Sequence, residues 1–134
     1  MLGKREPEIY GKTTLEQINK KLVLLGKELN VEVETFFSNI EGEIVEAIQK
    51  SIGKVAAIII NPAGYSHSSV AIRDALSATK LAVYEVHISN IFAREPFRAK
   101  SLISEIAEGV ITGFGPDGYA LALRHASEKL NSKK

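Results

Sequence analysis

The chemistry open to this chain is set by three histidines, four tyrosines and the absence of cysteine. With no thiol there is no disulfide, no thiolate metal site and no cysteine nucleophile. A Tyr, two of the His and several Arg suit proton transfer around an anionic, hydroxylated small molecule, and three separated stretches carry them. The opening MLGKREPEIYG holds Arg5 and Tyr10. The apolar run VAAIIIN is followed by Asn61, Pro62 and, a few residues on, His67. The run LAVYEV is followed by His87 and Ser89, then by Arg94 and Arg98. His125 falls elsewhere, on the final helical stretch, and reads as a surface residue.

Tyr10 makes the sharpest demand. A free phenol has a pKa near 10, so about one in a thousand is ionised at pH 7. Service as a base there needs a fall of roughly three units, about 4 kcal/mol in favour of the phenolate. A guanidinium such as that of Arg5 supplies about 1–3 units when it stands alongside. The plain alternative is that Tyr10 packs on the sheet edge while Arg5 pairs with Glu6 or Glu8. The other candidates also have structural readings. Asn61-Pro62 ends a strand, Ser68 or Ser69 caps a helix, and His87 is an interior histidine satisfied by backbone. Taken singly, each of these plain readings is the stronger; only the convergence of several such residues on one edge favours a site.

The elements that would bring them together follow from hydrophobic period. Leu15, Ile18, Leu22, Leu25 and Leu29 form one helical stripe behind Thr13-Thr14, which can cap it. VEVETFF alternates as a strand does. Glu43 to Ile52 reads as a helix with Ile44, Val45 and Ile48 inward and Gly53 as its stop. VAAIIIN, LAVYEVHI and GVITGFG read as further strands, the first two apolar in the manner of strands covered on both faces. Helices are expected from about Val70 to Ala78, up to about Ala107, and from Gly118 to about Leu130. Strict alternation implies an α/β fold with a parallel sheet, helices on both faces, and ligands at the carboxyl ends of the strands. The three polar stretches should open on that one edge.

Composition bounds the rest. The chain has 134 residues, 45% apolar and 25% charged, which suits one globular domain over 1–134. A net charge of +1 with scattered Lys and Arg offers no basic stripe for nucleic acid. No apolar run approaches the ~20 residues of a membrane span, and no secretory leader opens the chain, so a cytoplasmic protein is expected. There is no GxGxxG or GxxxxGK[ST], and no metal-ligand spacing, so neither a nucleotide cofactor nor a metal is expected. GFGPDG reads as a turn before a helix.

The segments LGKREPEIYG, INPAGYSHSSVAIRDAL and VYEVHISNIFAREPFR resemble the type II 3-dehydroquinate dehydratases, in the right order and across nearly the whole chain. The resemblance implies a flavodoxin-like doubly wound sheet of order 2-1-3-4-5. It also implies a lyase of the shikimate pathway that turns 3-dehydroquinate into 3-dehydroshikimate and water through an enolate, with no cofactor. In that family pattern Tyr10 matches the base at carbon 2 and Arg5 the residue that keeps it ionised. His87 matches the general acid and Glu85 its orienting partner. Asn61, His67 and Arg98 match groups that hold the substrate's hydroxyls and ring. Ile88 and Ser89 match the pair that takes the carboxylate, and Asp74 a residue reaching a neighbouring subunit's site. A trimer-based homo-oligomer, commonly a dodecamer, is implied as well. A second reading is a catalytically silent paralogue or fragment that keeps pocket and oligomer and only binds ligand. A third, a phosphoacceptor signalling domain on the same fold, would want acidic residues at the end of a first strand.

Family members also place a strand and a Gly-Pro-Asn-Leu-Asn loop immediately before the Leu-Gly seen here at Leu2-Gly3. Neither is in this sequence, so the fold is expected to lack its first strand as given. The lost loop carries an Asn that holds a water against the enolate oxygen; removing such a stabiliser costs about 10²–10³ in turnover. The translated product is therefore expected to start upstream, which the in-frame codons before Met1 test.

Overall fold

The computed structural model describes residues 14–93 and 100–132. Helix α1 (Leu15–Glu28) starts on a capping box. The Gln17 N–H donates to Thr14 Oγ1 at 3.2 Å and the Thr14 N–H donates to Gln17 Oε1 at 2.9 Å, so two donors of the first turn are satisfied reciprocally. Beyond the helix the Val31 N–H donates back to the Gly26 carbonyl at 2.9 Å. A Cβ on Gly26 would lie 2.6 Å from Val33 Cγ2 and 2.9 Å from the Val31 carbonyl oxygen. The chain turns back against α1 at the point where a residue has no side chain.

Helix α2 (Glu41–Ser51) begins two residues before the expected Glu43, and Gly53 takes φ +80° just past its end, as a stop there requires. Strand β1 (Ala57–Ile60) leads through a 3₁₀ turn (Ala63–His67) into α3 (Val70–Thr79). Ser69 is the cap of α3: its Oγ accepts from the Ile72 N–H at 3.0 Å and donates to Glu41 Oε2 at 2.6 Å, tying the starts of α2 and α3 together. Strand β2 (Ala82–His87), a short 3₁₀ turn (Ile91–Ala93), strand β3 (Gly109–Thr112) and α4 (Asp117–Ser132) complete the order.

The three strands form one parallel sheet in the order β1-β2-β3, the last three places of the expected 2-1-3-4-5 order. Ala57 to Ile60 pair with Ala82 to Glu85, and Tyr84 to His87 pair with Gly109 to Thr112. Central β2 is covered on both faces. Val83 packs with Ile48 of α2, with Ile72, Ala75 and Leu76 of α3, and with Ile103. Tyr84 and Val86 face the other way, against Ala122 and Ala126 of α4. Side chains alternate along a strand, so Glu85 and His87 lie on the Val83 face.

Two expected elements differ. VEVETFF forms no ladder: a strand needs a neighbour's hydrogen bonds, and none of the described residues pairs with it. In the 2-1-3-4-5 order its neighbour is strand 1, for which the described residues hold no counterpart. The helix expected up to Ala107 is a series of turns. Ser101 Oγ accepts from the N–H groups of Ile103 and Ser104 at 3.1 and 3.3 Å, and such a local bond competes with helix formation.

Candidate active site

The carboxyl end of β2 brings two titratable side chains into the core. Glu85 is 0% exposed and His87 4%. Two residues apart on one strand face, they meet directly, His87 Nε2 against Glu85 Oε2. Ser101 Oγ donates to Glu85 Oε2 at 2.7 Å and Ser104 Oγ to Oε1 at 2.6 Å. Burial pushes the Glu85 carboxyl up, but the hydrogen bonds from His87, Ser104 and Ser101, with the charge of His87, outweigh it and hold the group below its ordinary value. Glu85 is thus an anion that can only accept. Its bond to Nε2 puts a hydrogen on that nitrogen, which leaves Nδ1 as the imidazole position that gives or takes a proton.

The loops after β1 and β2 are braced by named bonds. Asn61 Nδ2 donates to the Tyr119 hydroxyl at 2.8 Å, and its Oδ1 accepts from the Ala63 N–H at 3.0 Å. His67 Nδ1 donates to the Lys100 carbonyl at 2.8 Å, and the Leu102 N–H donates to the Ser66 carbonyl at 2.7 Å, so the 3₁₀ turn after β1 grips the chain leading to Ser101. After β2, the carbonyls of His87 and Ile88 accept from the N–H groups of Gly113 and Gly115 at 3.1 and 2.9 Å. The Ser89 carbonyl accepts from Thr112 Oγ1 at 3.1 Å. Gly113 has φ +89°, and a Cβ there would stand 3.1 Å from Asn90 Cβ, so glycine lets the β3 loop close on the His87-Ile88-Ser89 turn.

The structure therefore places Asn61, His67, Glu85, His87, Ile88 and Ser89 at the ends of two adjacent strands. Asp74 stands apart, exposed on α3. Tyr10, Arg5 and Arg98, with Arg94, lie outside the described residues. Two surface hollows, of about 660 Å³ along α1 and about 380 Å³ beside Tyr84, Glu108 and His125, touch neither Glu85 nor His87. His125 is exposed, as read, with its ring 5.6 Å edge-on from that of Tyr84.

A family model described as dehydroquinase class II matches residues 1–127. The chain belongs to the class II dehydroquinase family. It is 53% identical to a 3-dehydroquinate dehydratase of Francisella philomiragia subsp. philomiragia, over 99% of this chain and 90% of that protein. It is 59% identical to one from Endomicrobium trichonymphae, over 92% of this chain and 87% of that protein. Among solved structures it is similar to the type II dehydroquinase of Propionibacterium acnes, with TM-score 0.88 and 41% identity, covering 95% of this chain and 88% of that one.

For this class II dehydroquinase the flavodoxin-like α/β class read from the sequence holds. Sequence reasoning missed Ser101, Ser104 and Tyr119. The two serines left a faint signal, a Ser-x-x-Ser spacing in a stretch that looked helical. Tyr119 left none, because only the packing of α4 against β1 brings it to Asn61.

Proposed function

We propose that this class II dehydroquinase dehydrates 3-dehydroquinate to 3-dehydroshikimate in the shikimate pathway of aromatic amino acid biosynthesis. The observation that carries the reading is the buried Glu85–His87 pair at the carboxyl end of β2, in a chain whose relatives bear that enzyme's name. Tyr10, as a phenolate kept ionised by Arg5, takes the proton from carbon 2 and leaves an enolate. His87, charged and steadied by Glu85, gives its Nδ1 proton to the carbon 1 hydroxyl, which departs as water. The bond that breaks supplies the electrons for none but its own oxygen, and the enolate's pair forms the new C=C bond. Nothing is oxidised.

Asn61, His67 and Arg98 hold the hydroxyls and ring. Ile88 and Ser89 take the carboxylate, and Asp74 serves the site of an adjacent subunit in a trimer-based oligomer, a dodecamer. The whole of 1–134 acts as one catalytic domain in the cytoplasm. Among the described residues no helix is long and apolar enough to cross a membrane.

The test follows the ultraviolet absorbance of the enone product when the purified, folded protein meets 3-dehydroquinate. Steady formation of enone is expected. No turnover from protein that still binds the substrate would favour the silent-paralogue reading.

A further inference from the structure

Glu85 is held by more than its imidazole partner. Oε2 takes the bonds of His87 and Ser101, and Oε1 takes that of Ser104. Both serines belong to the turn that replaces the expected helix. Ser101 is buried, and its oxygen also gathers the Ile103 and Ser104 N–H groups, so the turn and the carboxylate are organised by one hydroxyl. The chain just before this turn is gripped from the β1 side through His67 and Ser66.

The surroundings leave these hydroxyls a defined task. Beside Glu85 in the sheet stand Ile60 of β1 and Val110 of β3, and α2 and α3 present Ile48, Ile72 and Leu76 to this face. Of the charged groups on the packed elements, Arg73 of α3 pairs with Glu105 at 2.8 Å, Asp74 is exposed, and so is Glu108 before β3. Among the described residues, His87, Ser101 and Ser104 hydrogen-bond the carboxylate. A buried anion without donors takes up a proton instead. A neutral carboxyl would no longer steady the imidazolium from which the general acid acts.

We propose that Ser101 and Ser104 are positioning residues for proton transfer at His87, their paired hydroxyls holding the Glu85 carboxylate as an oriented anion behind the imidazole. The role rests on the dehydratase reading for its consequence in turnover, and on geometry alone for its effect on Glu85.

The test uses the full chain with Ser104→Ala, Ser104→Thr and the double variant Ser101→Ala/Ser104→Ala. Two quantities are read: kcat and KM for 3-dehydroquinate across pH, and the titration of the Glu85 side-chain carboxyl carbon by ¹³C NMR without substrate. For Ser104→Ala, kcat falls about tenfold with KM within about twofold, and for the double variant about a hundredfold, the scale of losing a partner that orients a reacting group. Glu85 takes its proton at a higher pH, the acid limb of kcat moves the same way, and Ser104→Thr restores both. Wild-type kcat with an unmoved carboxyl titration in Ser104→Ala overturns the proposal, and so does a loss confined to KM. If the double variant fails to fold, the two single variants decide alone. The carboxyl titration decides the positioning role even where wild-type protein shows no turnover, a result that counts against the functional reading instead.

Discussion

At the residue scale the site is a question of which protonation states the fold enforces. Glu85 has its carboxyl held below the ordinary value, so the folded state binds fewer protons than the unfolded one as pH falls past the reference value of 4.5. Its contribution to stability is then full above that reference and is lost as pH drops through the lowered native value. Urea midpoints measured downward from pH 5 should fall more steeply in the wild type than in Glu85→Gln; equal slopes would mean the carboxylate is not the sensitive group. His87→Ala should lower kcat by about 10²–10⁴, the usual worth of general acid catalysis, and by less for an analogue with a better leaving group. Steady-state kinetics on both substrates check it, and an equal loss on each would remove His87 from the leaving-group step. His87 and Asn61 were visible in the sequence as polar residues directly after apolar runs. Ser101 and Ser104 were not, because a serine's partner is fixed only once distant strands and turns meet.

At the element scale, period and caps were legible and partners were not. Thr14, Ser69 and Gly53 mark helix ends where the sequence put them, since each acts on backbone within a few residues. VEVETFF has the alternation of a strand but forms no ladder with any of the described residues, and 101–107 has helical spacing but yields to the Ser101 hydroxyl. Gly26 offers a test of how tightly the turn after α1 is packed. Alanine gains about 1 kcal/mol in helix propensity over glycine. The new methyl would meet the Val31 carbonyl at 2.9 Å and Val33 at 2.6 Å, and overpacking costs about 1–3 kcal/mol, more where backbone must move. Gly26→Ala should therefore lower the urea midpoint, whereas a raised midpoint would show that the 31–33 segment moves aside freely.

At the scale of the whole molecule, a parallel sheet followed from the alternation of helix and strand, but strand order and assembly came from family resemblance alone. Phe36 is 62% exposed, Phe114 62% and Val70 58%. Single apolar residues are ordinary on a surface, so mass must decide. Native mass spectrometry is expected to give a multiple of three 14.6 kDa chains, with twelve the favoured count. Asp74→Ala, exposed on its own chain, should lower turnover in the assembled protein without changing the fold of the subunit. A monomer of full activity at micromolar concentration would contradict both.

The most direct measurement of all compares wild type with Tyr10→Phe for enone formation from 3-dehydroquinate, with binding of the substrate followed in parallel. Wild type should turn over, and the phenylalanine variant should bind while losing about 10²–10⁴ in rate. A variant that keeps the wild-type rate would show that another group takes the carbon-bound proton.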